Sequence, residues 1–77
     1  AEIHNKLGDA YYYAGRLSEA IESYTTAAQL QPDNAETFYN LAIAYSESGN
    51  PTMAATEARI LQRLDVKLYE KYLRETM

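Results

Sequence analysis

The sequence predicts an all-α fold: two helix-turn-helix units in tandem, followed by a fifth helix. Three observations carry this expectation. Apolar residues recur at i, i+3 and i+4, as in Leu7, Ala10, Tyr11 and again in Leu41, Ala44, Tyr45, the stripe of a helix buried on one face. A glycine follows each stripe, Gly15 and Gly49, where a helix end wants a residue that tolerates positive φ. Finally, residues 1–34 laid over residues 35–68 match at Ala1/Ala35, Glu2/Glu36, Leu7/Leu41, Ala10/Ala44, Tyr11/Tyr45, Gly15/Gly49, Ala20/Ala54 and Leu30/Leu64. Average residue usage would give about two such matches by chance.

The elements follow in order. The first helix spans about 2–14 and the second about 18–30, opened by Ser18 or a residue beside it. Pro32 precedes Asp33, which with Glu36 forms a D-x-x-E capping box for a third helix over about 34–48. Asn50 followed by Pro51 starts the fourth helix, about 51–64, with an N-cap and a proline in the first turn. Asp65 caps a fifth over about 66–76, in which Val66, Tyr69, Leu73 and Met77 share a face. Leu68, Tyr69, Tyr72 and Leu73 are expected inward, with Lys67, Glu70, Lys71, Arg74 and Glu75 toward water. No segment sustains the period-2 alternation of a strand.

Composition narrows the class. Seventy-seven residues make one small domain, 47% hydrophobic and 23% charged, without cysteine. Neither a disulfide framework nor a metal set is available, since His4 is the only histidine, so helix packing must supply the stability. No stretch reaches the roughly 20 apolar residues of a membrane span, and no signal-peptide pattern opens the chain. The cytoplasm is the default compartment. The net charge is −4, and residues 1–36 hold six acids (Glu2, Asp9, Glu19, Glu22, Asp33, Glu36) against Lys6 and Arg16. A nucleic-acid binder carries the opposite bias.

The residues that match across the offset also carry a family pattern. Leu7, Gly8, Tyr11, Ala20, Tyr24, Ala27 and Pro32 in the first unit, with Phe38, Leu41, Ala42, Tyr45 and Ala54 in the second, resemble the tetratricopeptide repeat. Departures are His4 at the usual Trp position, and Ala58, Leu61 and Val66 late in the second unit. The resemblance implies a right-handed superhelix: repeat one at 1–34, repeat two at 35–68, and a capping helix at about 66–77 that solvates the open end. The alternative for the last segment is the first helix of a third repeat. Gly8, Ala42, Ala20 and Ala54 are then small where paired helices approach, and Tyr11, Tyr24 and Tyr45 fill space between hairpins.

Chemistry has little foothold. His4 has no companion ligand, and Glu19/Glu22 and Glu70/Glu75 are carboxylate pairs on helix faces without a pocket. Ser18, Ser23, Ser46 and Ser48 lack a nucleophile–base constellation, and the three glycines are isolated. No enzyme activity and no cofactor is expected. The resemblance instead implies a protein-binding concave groove. Its ligand-facing positions are Glu2, Asn5, Asp9, Tyr12 and Tyr13 in repeat one, and Glu36, Tyr39, Asn40, Ile43, Ser46 and Glu47 in repeat two. The family's clamp for carboxylate tails would use Asn5, Asp9, Asn40, Glu70 and Arg74, of which only Asn40 and Arg74 suit an anion. An acidic, Tyr-bearing groove is expected to take a basic or amphipathic protein segment. The alternative is an assembly module that self-associates through a bare N-terminal face around Ile3, His4 and Leu7.

Overall fold

The computed structural model describes residues 2–76, which form five helices: α1 (Glu2–Tyr13), α2 (Leu17–Leu30), α3 (Ala35–Glu47), α4 (Pro51–Leu64) and α5 (Val66–Thr76). No strand occurs among the described residues. Ala1, and Met77 with its expected place on α5, lie outside them.

Glycine sets both hairpin turns. Gly15 and Gly49 have φ of +80° and +81°, a region that side chains with a Cβ rarely enter. Each is the left-handed residue of the same hydrogen-bonded stop. Arg16 N–H donates to the Tyr11 carbonyl and Gly15 N–H to that of Tyr12; Asn50 N–H donates to Tyr45 and Gly49 N–H to Ser46. These bonds satisfy carbonyls at the ends of α1 and α3 and reverse the chain.

The helix starts differ in two places from those the sequence predicts. Asn34, not Asp33, caps α3: its backbone is the last extended one, and its Oδ1 accepts from Glu36 N–H at 3.2 Å. Ser18 lies inside α2, whose N-cap is Arg16 without a side-chain cap bond; the Arg16 guanidinium instead pairs with Glu19 at 2.6 Å. The other two caps form as expected. Asn50 Oδ1 accepts from Met53 N–H, and Asp65 Oδ1 from Leu68 N–H.

Packing runs from one hairpin to the next. α1 lies on α2 and α3 on α4, α2 packs along α3, and α5 lies against both α3 and α4. The core joins Ala20 and Tyr24 of α2 to Phe38, Leu41, Ala42 and Ala44 of α3, Ala58 and Leu61 of α4, and Tyr72 of α5. Gly8 is small for a definite reason: a Cβ there would stand 2.5 Å from the Tyr24 ring. Tyr24 therefore fills space within the first hairpin, and Tyr11 and Tyr45 are only half-buried. On α5 the buried face centres on Tyr72, flanked by Leu68, Tyr69 and Leu73, while Val66 is exposed. Val66 is three residues before Tyr69 and so on its side of the helix, but it is the first residue of α5 and stays 57% exposed.

Candidate functional site

Helical spacing brings residues from four helices to one concavity. Asp9, Tyr12 and Tyr13 come from α1, Tyr24 from α2, and Tyr39, Asn40, Ile43, Ser46 and Glu47 from α3; Glu75 and Thr76 of α5 close the far side. Steps of three and four residues keep each set on one helix face. The cavity they line measures about 620 Å³, within the range of ligand pockets.

Its floor is stitched by three tyrosine–carboxylate pairs. The Tyr24 hydroxyl of α2 donates to Asp9 of α1 at 2.5 Å. Tyr12 of α1 donates to Glu47 of α3, and Tyr39 of α3 to Glu75 of α5. Each pair thus ties one helix to another. The Tyr12 ring meets Tyr13 edge-on at 5.2 Å, leaving Tyr13 itself open to solvent. Across the outer side of Tyr39, the Lys71 ammonium stands 5.4 Å from the ring centroid.

Proton affinities follow from this geometry. The bond to Glu47, aided by burial, pushes the Tyr12 phenol up to about 12. Burial, with the bond to Asp9, raises the Tyr24 phenol further still. Both hydroxyls hold their protons at neutral pH and act as donors, so Asp9 and Glu47 remain acceptors. None of the lining residues is Lys, Arg or His. The concavity therefore presents three carboxylates and aromatic surface without a cation in its wall.

Eight of the eleven groove positions expected from sequence line it: Asp9, Tyr12, Tyr13, Tyr39, Asn40, Ile43, Ser46 and Glu47. Three do not. Asn5 is buried between the hairpins, where it and Thr37 exchange hydrogen bonds at 2.9 and 3.1 Å. Glu2 pairs with Lys6 on the open surface of α1, and Glu36, exposed in the first turn of α3, does not reach the cavity. Of the carboxylate-clamp set, Asn40 and Asp9 line the cavity, and Asn5, Glu70 and Arg74 do not. Sequence reasoning missed Tyr24, Glu75 and Thr76. By its place in the repeat pattern Tyr24 reads as packing only, and nothing in the order of residues on α5 says which of its turns reaches α3.

Two helical hairpins packed through α2 and α3, each first helix ending in a left-handed glycine, are the setting for the comparison with known proteins. Residues 8–49, more than half the chain, match the family model described as the TPR repeat. The chain belongs to the tetratricopeptide repeat family. It is also similar to DnaJ homolog subfamily C member 3 of Gallus gallus, 32% identical over 65 residues, and to the Rattus norvegicus protein of that name, 29% identical over 65 residues. Either alignment covers 84% of this chain but 13% of the relative, so the chain spans a small part of those proteins' length. TPR repeats are in general protein–protein interaction modules, and the module described here is an all-helical scaffold of that kind.

Proposed function

We infer that this TPR module binds a basic or amphipathic segment of a partner protein in the concavity between α1, α3 and α5. On this reading residues 1–34 and 35–68 are the two repeats, and residues 66–77 are a cap that also contributes a wall to the groove. The observation that carries it is the charge of the lining: Asp9, Glu47 and Glu75 converge on one cavity of about 620 Å³ whose lining contains no basic side chain. Their tyrosine partners are neutral donors, and the cation nearest by, Lys71 over the Tyr39 ring, is not part of the lining. A guanidinium or ammonium entering the cavity would meet carboxylate oxygens and the rings of Tyr12 and Tyr13 together. Ile43 supplies an apolar spot for a neighbouring side chain of the same segment.

Removing charge without shape is the cleanest test, because Tyr39 also packs on the core and truncating it would disturb the scaffold. A synthetic amphipathic helix with an arginine face is titrated against the chain by calorimetry. Replacing Glu47 and Glu75 together by Gln should weaken it about tenfold, or 1.4 kcal/mol, while Glu22→Gln on the exposed side of α2 should change nothing. The affinity should also fall between low and physiological salt, as the screening length shortens to about 8 Å. Equal binding by the doubly neutralised chain would rule the groove out as the site.

A further inference from the structure

The three carboxylates of the groove stand in unequal surroundings. Glu75 accepts the Tyr39 hydroxyl, and the face of that same ring already holds a cation, the Lys71 ammonium 5.4 Å from its centroid. Lys71 lies one helical turn before Glu75 on α5, so opposite charges meet at one tyrosine. Among the described residues no cation stands on Tyr24 or Tyr12, the tyrosines that hold Asp9 and Glu47. Lys6 pairs with Glu2 and Arg16 with Glu19. Arg59 lines a different cavity, between α4 and α5, and Arg63, Lys67 and Arg74 are exposed outside the groove lining. With Lys71, these are all seven Lys and Arg residues of the chain.

The free aromatic surface lies at the Asp9–Glu47 end as well. Asp9 is three residues before Tyr12 and four before Tyr13, so the three share one face of α1. The Tyr12 and Tyr13 rings meet at 81° and form a corner, with Asp9 one turn back along the helix and Glu47 on the Tyr12 hydroxyl. Tyr13 is 83% exposed. Glu47 holds the same place in the second hairpin and is exposed there with a whole hairpin before it, so the openness of this position belongs to the repeat. A cation seated in the corner faces two rings and two carboxylates together. At Tyr39, a second cation at a like distance across the ring would stand about 10 Å from the Lys71 ammonium. Repulsion at that separation weakens an affinity about two- to fifteenfold, for effective dielectrics of about 80 to 20.

We propose that Lys71 is a specificity-determining residue that gives this groove a direction. It cancels the charge of the Glu75 end, so the partner's cation is received in the corner of Tyr12 and Tyr13, by Asp9 and Glu47. The proposal rests on the groove reading and deepens it. Tyr39, Ile43 and Glu47 follow one another at four-residue steps along α3, about 6 Å apart. A bound segment then has its cation at Glu47 and an apolar side chain one step away at Ile43, which fixes its orientation. Without Lys71 the two ends of the groove would compete for the cation, and a segment could lie in either sense.

The probe is an amphipathic helix bearing one arginine and no other charge, titrated by calorimetry and followed by amide NMR shifts. Glu47→Gln and Tyr13→Ala should each weaken it about two- to fivefold, the worth of one exposed charge pair or cation–π contact. Glutamine keeps an oxygen for the Tyr12 hydroxyl and Tyr13 is outside the core, so the helical circular dichroism should not change. Glu75→Gln should cost less than about twofold, its charge being remote from the seated cation and screened. Lys71→Gln should strengthen binding about twofold by opening the second end, and adding Glu75→Gln should remove the gain. Lys67→Gln, the same charge change one turn farther along α5, should give none. Shifts should centre on Tyr12, Tyr13 and Glu47 in the native chain and extend to Tyr39 and Glu75 in the Lys71→Gln chain. The proposal is overturned, with the groove left standing, if Glu75→Gln costs as much as Glu47→Gln. The same holds if Lys71→Gln alters neither affinity nor shifts, or if Lys67→Gln gives an equal gain. A probe that binds every carboxylate variant equally, or does not bind at all, overturns the groove reading and this proposal together.

Discussion

The first and the last helix, α1 and α5, fill their outer faces in opposite ways. At the C-terminal end, α5 lays Leu68, Tyr69, Tyr72 and Leu73 against α3 and α4 and turns Lys67, Glu70, Lys71 and Arg74 outward. At the N-terminal end, α1 keeps Ile3, Leu7 and Ala10 exposed. Helical spacing is equally regular in both places. What differs is which residues fill the outer positions, charged ones on α5 and apolar ones on α1.

The sharpest way to break the comparison is to remove α5. A chain stopping at Leu64 loses Tyr72 and its neighbours from the core, each buried side chain contributing about 1.5–3 kcal/mol. Against a total stability of about 5–15 kcal/mol, cooperative thermal unfolding should be lost. An unchanged melting temperature would make α5 incidental. The matching change at the other end, Ile3→Lys, should move stability by no more than about 0.5 kcal/mol, because that side chain is already in water.

A smaller effect separates the two hairpins. Gly8 lies under the Tyr24 ring, whereas the equivalent Ala42 belongs to a hairpin with Ala58 at the ring's position. Gly8→Ala should lose about 1–3 kcal/mol to overpacking, partly offset by the helix preference of alanine, about 1 kcal/mol. Ala42→Gly should lose about 0.5–1 kcal/mol with no steric cause. Equal melting temperatures for Gly8→Ala and the native chain would show that the Tyr24 ring gives way. Ala58 also lines, with Ala54, Tyr69, Tyr72 and Leu73, a second cavity of about 590 Å³ between α4 and α5.

The smallest effect concerns alkali. Tyr12 and Tyr24 both have phenols raised in the folded chain, Tyr12 to about 12. The folded state then binds more protons than the unfolded one above the ordinary phenol value of about 10. The stability these groups supply is complete below that value and is lost as pH rises through about 12. Melting temperatures across this window should fall, and Tyr12→Phe should flatten part of the slope. A variant with the native slope would mean that the Tyr12–Glu47 bond does not hold in solution.

How much of this was legible beforehand depends on whether the cause is local. Five helices, two left-handed glycines and the Asn50 and Asp65 caps were written in the order of residues, because periodicity, φ preference and cap bonds act within a few positions. The offset between units also brought out the Leu7 and Leu41 stripes. Which stripe would be covered was a matter of neighbours, and only packing decides that. The groove divides along the same line. Residues at i, i+3 and i+4 on α1 and α3 were bound to share a face, so Asp9, Tyr12, Tyr39 and Ile43 converge as expected. Asn5 shares that spacing yet turns to Thr37, since a side chain near the hairpin contact finds a partner there before it finds solvent. Glu75 enters the cavity because α5 docks against α3 with its last turn beside Tyr39. That placement arises from the angle between two helices, to which no residue of either one refers alone.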